Sequence, residues 1–254
     1  MSKKLKHPPE DFEQECSTVW SFPRRWNWVT HNSKYRWNWS PEVVRNLILR
    51  YSKEGDYLLD PMIWGGTTAI EAKLLGRNLL CYDINPEAIK LTESFLDFEI
   101  PSPPKERARV RLKKHNATKK NKDLKDESID FVLMHPPYVD IIKYSDWIKG
   151  DLSQIHNIDE FCDEIEKVAK ESFRVLKKWW FCAVLMWDTR REKMYQPLAF
   201  KVMERFLKVG FALKEDIIKV QHNCKATWFW VKKSKDYNFL LIMHEHLFIF
   251  KKLK

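Results

Sequence analysis

The sequence predicts an α/β fold with a mostly parallel sheet of seven strands that ends in an antiparallel hairpin. Short apolar stretches of strand length alternate with longer stretches whose apolar residues recur at helical spacing. This alternation is typical of parallel sheets that are covered by helices on both faces. The last two strand-like stretches have no evident helix between them, so the second is expected to run antiparallel to the first.

The first half of the chain shows the alternation most clearly. Residues 1–39 are polar and aromatic without a long periodicity, and Ser40 with Pro41 then starts a helix that reaches Tyr51. The first strand is predicted at residues 57–60. A helix, a strand and a second helix are predicted to follow at residues 67–75, 79–83 and 86–96.

The second half continues the pattern after a basic connection. Residues 101–126 are rich in Lys, Arg and Pro and are expected to be mostly exposed, with one short strand near Val110. Further strands are predicted at residues 129–134, 181–186, 213–220 and 239–250, and further helices at residues 159–176 and 197–209. Because no stretch has the composition of a linker, we expect residues 1–254 to form one domain.

The composition favours nucleic acid as a partner and gives no indication of a disulfide framework, a metal site or a membrane span. The 45 Lys and Arg residues exceed the 35 Asp and Glu residues, and the resulting net charge of +10 attracts polyanions such as nucleic acid. The five cysteines are widely spaced and predict neither a disulfide framework nor a metal site. No apolar run is long enough for a membrane span and no secretory leader is evident, so we expect a cytoplasmic protein that does not bind membranes.

Two strand ends carry residues expected to bind a cofactor, because ligands of such sheets bind beyond the carboxyl ends of the strands. The first strand ends at Asp60, and the loop that follows contains Gly65 and Gly66, which allow backbone to approach a ligand closely. The next strand ends at Asp83, whose carboxylate can accept hydrogen bonds from both hydroxyls of a ribose. A cofactor that contains a nucleoside is therefore expected.

The strand at residues 129–134 leads directly into His135-Pro136-Pro137-Tyr138. The two prolines fix the backbone and lack N–H donors, so the carbonyl groups around them are rigid and free to accept from a ligand. Tyr138 can stack on a flat base with its hydroxyl in water.

With these loops in this order, the chain resembles the amino-methyltransferases that modify adenine N6 or cytosine N4 in DNA. The resemblance extends from about Trp20 to the C-terminus. It implies a Rossmann-like methyltransferase fold, S-adenosylmethionine as cofactor, double-stranded DNA as substrate and a restriction endonuclease as a candidate partner. It also implies that residues 1–39 form a cofactor or lid segment. Lysines surround Trp228, Phe229 and Trp230 in residues 221–238, which are expected to form either a loop that contacts DNA or a charged hairpin tip that is only solvated.

The resemblance assigns roles to individual residues. The catalytic segment is His135, Pro136, Pro137 and Tyr138. The cofactor-binding residues are Asp60, Pro61, Trp64, Gly65, Gly66, Thr67, Asp83, Asn116, Trp39 and Ser40. No residue is assigned to a metal.

The chemistry that the resemblance implies needs acceptors for an amino group. The lone pair of an exocyclic amine is delocalised into the ring, and acceptors that hold its N–H groups free that lone pair for the sulfonium methyl. The Pro136 carbonyl and residue 135 would be those acceptors, acting on a base flipped out of the duplex. The family has Asp, Asn or Ser where this chain has His135, and we hypothesise that His135 both accepts an N–H and takes the released proton.

Tryptophan is unusually frequent, with 12 Trp against 6 Gly. Trp64 stands where the family's cofactor loop has its first glycine. We hypothesise that several tryptophans are UGA codons that the source organism translates as glycine, at positions 64, 187, 26, 37 and 228, with Trp179 and Trp180 also in question. Trp20, Trp28 and Trp39 are interpreted as genuine.

Two alternative functions remain open on the sequence. If the tryptophans are genuine, the chain can be a catalytically impaired relative that still binds nucleic acid. It can also be an amino-methyltransferase of RNA bases. The choice between adenine N6 and cytosine N4, the recognition sequence and the oligomeric state do not follow from the sequence.

Overall fold

Ten strands, six α-helices and one short 3-10 helix (Leu152–Gln154) are present in the parts of the chain that this computed structural model describes, residues 7–9, 11–32, 38–100, 104–105, 107–139, 145, 147–224 and 227–254. The helices are α1 (Pro41–Tyr51), α2 (Thr67–Leu74), α3 (Pro86–Phe95), α4 (Ile158–Val175), α5 (Leu198–Val209) and α6 (Thr227–Asp236). The strands are β1 (Val19–Ser21), β2 (Tyr57–Asp60), β3 (Asn78–Asp83), β4 (Val110–Lys114), β5 (Ile129–Met134), β6 (Leu176–Met186), β7 (Thr189–Arg191), β8 (Met194–Gln196), β9 (Ala212–Val220) and β10 (His244–Lys251).

Eight of these strands form one sheet, in the order β1-β9-β10-β6-β5-β2-β3-β4. β10 is antiparallel to β6 and β9, and the other neighbouring strands of this sheet are parallel. The predicted α/β class, with a mostly parallel seven-stranded sheet and a C-terminal antiparallel pair, is therefore confirmed, and β1 adds an eighth strand at one edge. The strand order reverses between β2 and β5, which is where doubly wound sheets bind ligands.

Three features differ from the sequence-based expectation. β1 and the β7–β8 hairpin have only three residues in each strand, too few for a recognisable period. α6 lies between β9 and β10, so the expectation of a helix-free connection is wrong, and residues 221–238 are not simply a loop. No residue of α6 is buried, so the helix has no apolar stripe that would reveal it in the sequence.

Helices cover both faces of the central strands. All six residues of β5 are buried, and its side chains alternate between two cores. Val132 packs in the same core as Phe161 of α4, whereas Phe131 packs in the same core as Leu47 of α1. None of the helices described has the length and apolar composition that crossing a membrane requires.

A buried carboxylate joins the segment before α1 to α2. Glu71 of α2 has no exposed surface, and its Oε1 lies 2.7 Å from both the Trp28 indole nitrogen and His31 Nε2. Its Oε2 accepts from the Arg45 guanidinium of α1 at 3.0 Å. These partners offset the cost of removing the carboxylate from water, and they hold the N-terminal segment against the helix that follows β2.

We expect Glu71→Ala to destabilise the fold by about 3–5 kcal/mol, because the buried Trp28 and His31 would lose their shared acceptor and the mostly buried Arg45 its carboxylate. The free energy of unfolding in urea measures this change. Glu93→Ala, which removes an exposed carboxylate from α3, is the matched control and should change stability by no more than about 0.5 kcal/mol. Equal losses in the two variants would contradict the role given to Glu71.

Candidate active site

A pocket lies at the carboxyl ends of the strands where the strand order reverses. Eight of the residues singled out from the sequence line it: Pro61, Trp64, Asp83, Asn116, His135, Pro136, Pro137 and Tyr138. The lining is completed by Met62, Ile84, Asn85, His115, Ala117, Gly150, Asp151 and Leu152. The cofactor segment and the Pro-Pro segment therefore meet in one cavity.

The loop after β2 is held in shape by its own hydrogen bonds. Asp60 is fully buried, and its Oδ1 accepts from the Met62 amide at 3.0 Å. Burial raises the pKa of Asp60 to about 7. Asp60 does not line the pocket, so it supports the loop from behind.

The two glycines of this loop serve close packing. Gly66 has a φ of +74° and precedes α2 as its N-cap. A Cβ at Gly65 would lie 2.7 Å from the Asn38 Cβ, so the loop packs against the N-terminal segment at this point. Gly65, Gly66 and Thr67 lie outside the pocket lining, and Thr67 donates instead to the Trp39 carbonyl at 3.4 Å.

Asp83 lies at the end of β3 and faces the pocket. Its Oδ1 accepts from the Asn85 amide at 2.8 Å, and its Oδ2 accepts from the Trp64 amide at 3.3 Å. Burial, with a smaller contribution from the nearby Asp151 carboxylate, raises the pKa of this carboxyl to about 6. The same side chain therefore joins the β2 loop to α3 and presents carboxylate oxygens at the pocket.

Trp39 and Ser40 support the site from outside the pocket lining. The Trp39 side chain is buried, and its ring meets the His135 ring edge-on with 5.4 Å between centroids. Ser40 is the N-cap residue of α1, but its hydroxyl bonds to the Glu42 carboxylate instead of a helix amide. Asn116 does line the pocket, and its Oδ1 accepts from the Thr118 amide and hydroxyl, each at 2.9 Å.

The structure corrects the expected environment of Tyr138. Its side chain is 2% exposed, and its hydroxyl donates to Glu245 Oε1 at 2.7 Å instead of reaching water. The reason is that Glu245 is buried on β10, one strand beyond β6 from β5, and its carboxylate needs a donor in the interior. The Tyr138 hydroxyl also bonds to His135 Nε2.

His135 is held neutral by its surroundings. Burial lowers the pKa of its imidazole to about 4, although the Glu245 carboxylate acts in the opposite direction. A neutral imidazole keeps one acceptor nitrogen, which supports the hypothesis that His135 accepts an N–H of the amine. The low pKa makes the imidazole a weak base, which opposes the hypothesis that His135 also takes the released proton.

Comparison with known proteins supports the resemblance noted above. Residues 1–94 match a family model for N6 and N4 methyltransferases, described as DNA methylase. A Type II methyltransferase of Streptococcus pneumoniae, M2.DpnII, is 40% identical over 57 residues, which is 22% of this chain and 21% of the relative. The DNA adenine methyltransferase YhdJ of Escherichia coli is 27% identical over 129 residues, 50% of this chain and 44% of that protein.

The resemblance to the amino-methyltransferases of DNA is confirmed. The family match includes the β2 loop and Asp83 but ends before His135. The aligned part spans only about a fifth of M2.DpnII and 17% of M.BsoBI of Geobacillus stearothermophilus, which is 36% identical over 88 residues, 34% of this chain. The family match therefore covers the cofactor side of the pocket.

Solved structures confirm the methyltransferase fold. A S-adenosylmethionine-dependent methyltransferase of Methanosarcina mazei superposes with a TM-score of 0.56 at 17% identity, over 82% of this chain and 98% of that one. TrmN of Thermus thermophilus also gives a TM-score of 0.56 at 17% identity, over 86% of this chain and 50% of that one. The [4+2]-cyclase SpnF gives a TM-score of 0.54 at 14% identity, over 86% of this chain and 84% of that one, so this fold alone does not specify a reaction.

The family resemblance did not predict two features of this site. Asp151 reaches the pocket from a loop far from the strand ends used in the prediction, and no local pattern marks it. Glu245 lies between two histidines in an otherwise apolar strand, and it is 2% exposed. A charged residue inside a buried strand is a signal that could have identified Glu245.

Proposed function

We propose that this protein is a S-adenosylmethionine-dependent methyltransferase that acts on the exocyclic amine of adenine or cytosine in double-stranded DNA. One observation carries the proposal: Asp83 at the end of β3 and the His135–Tyr138 segment after β5 line the same pocket. Methyl transfer needs a cofactor site and an amine site that share one cavity. The match of residues 1–94 to DNA methylases supports the choice of substrate.

The pocket residues fit a cofactor of this kind. Asp83 offers carboxylate oxygens to the ribose hydroxyls, and Asn116 and Ile84 line the pocket beside it, where an adenine ring needs polar and apolar contacts. S-adenosylmethionine supplies a methyl group on a sulfonium. We propose that the loop around Pro61 and Trp64 forms another wall of the cofactor site, in addition to the one that Asp83, Ile84 and Asn116 form.

The amine is proposed to bind at the Pro-Pro segment. Neither Pro136 nor Pro137 has an N–H, so the carbonyls of this turn can accept from the amine without competition from those two donors. The Pro136 carbonyl and the neutral His135 imidazole are the proposed acceptors. The ring of Tyr138 also lines the pocket, so it can contact the base although its hydroxyl is buried.

The surface that contacts DNA is proposed to include α6. Trp228 and Trp230 are 79% and 47% exposed, and the ammonium of Lys233 lies 5.4 Å from the Trp230 ring. β9 is parallel to β6 in the sheet, so the chain enters α6 from the same edge that carries the pocket. Exposed aromatic rings among lysines suit stacking on bases and contact with phosphates.

The β7–β8 hairpin is proposed to extend this surface. The Arg190 guanidinium donates to the Leu240 carbonyl at 2.8 Å and lies 5.4 Å from the Phe239 ring, and these contacts join the hairpin to the chain after α6.

The remaining parts of the proposal are a single domain, a cytoplasmic location and a restriction endonuclease partner. The single eight-stranded sheet, which includes strands from both ends of the chain, supports the first, and the Type II names of the relatives motivate the last.

The function is tested by incubating the protein with methyl-labelled S-adenosylmethionine and duplex DNA, followed by nucleoside mass spectrometry. We expect labelled N6-methyladenine or N4-methylcytosine, and loss of label in Asp83→Ala. Glu93→Ala is the control and should label DNA normally. Label only in RNA would contradict the DNA substrate, and DNA binding without cofactor binding would identify a catalytically impaired relative.

Cofactor affinity should depend on pH through Asp83. The pKa of its carboxyl is raised to about 6, and only the carboxylate accepts from both ribose hydroxyls. Affinity should therefore fall by about tenfold per pH unit below about pH 6, as the carboxylate takes up a proton. Titration calorimetry measures this fall.

Asp151→Asn serves as the variant that tests the cause of this pH dependence. It removes a charge that raises the pKa of Asp83, so the fall should begin at lower pH. An affinity that is constant between about pH 5 and pH 7 would contradict the role of Asp83 as the ribose acceptor.

A further inference from the structure

A chain of buried hydrogen bonds runs from the pocket into the sheet. His135 Nε2 bonds to the Tyr138 hydroxyl, which lies 2.7 Å from Glu245 Oε1. Glu245 Oε2 lies 2.9 Å from the ammonium nitrogen of Lys219 on β9. The side chains of His135 and Glu245 are only 8% and 3% exposed, so water competes little with these bonds.

The positions of the protons in this chain follow from its two ends. Glu245 forms an ion pair with Lys219, and a carboxylate can only accept hydrogen bonds. The Tyr138 hydroxyl must therefore give its one proton to Glu245. Its oxygen is then left to accept, so the proton in the other bond belongs to His135 Nε2.

A neutral imidazole has one N–H, so a proton on Nε2 leaves the lone pair on Nδ1. His135 Nδ1 has no hydrogen-bond partner in the described part of the chain, and His135 lines the pocket. The acceptor that methyl transfer requires is thus the nitrogen that the buried chain leaves unused.

We propose that Glu245 is a positioning residue that acts through the Tyr138 hydroxyl to hold His135 in the Nε2–H tautomer, with Nδ1 as acceptor for the amine of the target base. The acceptor role rests on the proposed function, whereas the tautomer is a property of the protein alone. Lys219 contributes through its ion pair with Glu245 Oε2. In the opposite tautomer Nδ1 would be a donor and would repel the N–H of the amine.

The test is the tautomer of His135 in protein labelled with 15N-histidine, measured by NMR without substrate and assigned with His135→Asn. We expect the Nε2–H form in the native protein. In Glu245→Gln the amide oxygen should turn to Lys219 and its NH2 to Tyr138, so the hydroxyl would donate to His135 and the Nδ1–H form should appear. Methyl transfer by this variant should show kcat reduced by about tenfold or more, with the KM for S-adenosylmethionine nearly unchanged.

Glu215→Gln is the matched control, because Glu215 lies on β9 and pairs with Lys214 at the surface. It should leave both the tautomer and kcat unchanged. An Nδ1–H tautomer in the native protein would overturn the proposal without any variant, and so would an unchanged tautomer in Glu245→Gln. A protein with the expected tautomers but no methyl transfer would overturn the proposed function and leave the positioning role of Glu245 intact.

An independent observation concerns the backbone at two tryptophans. Trp64 and Trp179 have φ values of +42° and +71°, in the left-handed region that glycine adopts freely and bulky residues avoid. Trp64 lies in the β2 loop. Trp179 lies in an irregular part of β6, where Ile129 and Phe131 of β5 pair with Leu176 and Phe181.

The exposed fractions of several tryptophans agree with this division, although Trp147 and Trp230, which are 70% and 47% exposed, were not singled out. Trp20, Trp28 and Trp39 are 1%, 0% and 4% exposed, and the indole nitrogens of the first two donate to Ser17 and Glu71. By contrast, Trp26, Trp179 and Trp228 are 43%, 62% and 79% exposed. Trp187 is partly buried and has no positive φ, and position 37 lies outside the described residues.

We infer that positions 64 and 179 are glycine in the native protein, encoded by UGA codons that the source organism translates as glycine. Glycine would relieve the left-handed backbone at both positions and would remove an indole from the wall of the proposed cofactor pocket. The same codon at positions 26 and 228 accounts for two large apolar side chains at the surface.

The gene decides this inference. We expect UGA at codons 64 and 179 and UGG at codons 20 and 28. UGG at both codon 64 and codon 179 would overturn the inference.

Protein variants give a second readout that does not depend on activity. Trp64→Gly and Trp179→Gly should each raise the Tm, whereas Trp28→Gly, the matched control, should lower it because it empties a buried site. A lower Tm in both test variants would contradict the strain at these positions.

Discussion

The burial of β5 between β2 and β6 is the constraint on which the site depends. Each of its six residues is enclosed, so the chain can present polar groups to a ligand only after the strand ends. β5 and β2 are neighbours at the centre of the sheet, with β3 on the far side of β2 and β6 on the far side of β5. The loops that leave β2, β3 and β5 therefore diverge around a crevice, and the residues at their starts converge on it.

Ionisable groups near this crevice divide into two classes. Asp60 and Asp83 are buried without a close opposite charge, and burial raises the pKa of each carboxyl. His135 Nε2 lies 3.8 Å from Glu245 Oε1, but burial outweighs that carboxylate and lowers the pKa of the imidazole. Glu71 and Glu245 are equally buried, but each has a cation within about 3 Å. The first class lies on the ligand loops or beneath them, whereas the second joins separate elements of the fold. The ionisable residues of the site are thus buried, and the ion pairs of Glu71 and Glu245 hold the surrounding segments in place.

Patterns along the sequence predicted the elements that have a buried face. The bounds of β2 and β5 agree with the prediction, because an apolar run between polar residues marks a buried strand clearly. α6 was missed because it has no buried face. The residues at strand ends were predicted for the same reason that ligands bind there, and eight of them do line one pocket. Glu245 was not predicted because its partners are 107 and 26 positions away in sequence, and no local pattern records such a contact.

The tryptophans show how local conformation and composition can disagree. A strand end followed by a helix needs a turn, and the turn after β2 takes positive φ at two of three consecutive positions, Trp64 and Gly66. The geometry of the loop is set by β2, α2 and the amide of residue 64, which donates to Asp83. This hydrogen bond uses the backbone amide and does not depend on the side chain. The left-handed conformation is therefore expected with any residue at position 64. The cost of that conformation depends on the side chain, and it is lowest for glycine. For this reason the backbone conformation at position 64 favours glycine, and this argument does not depend on any family comparison.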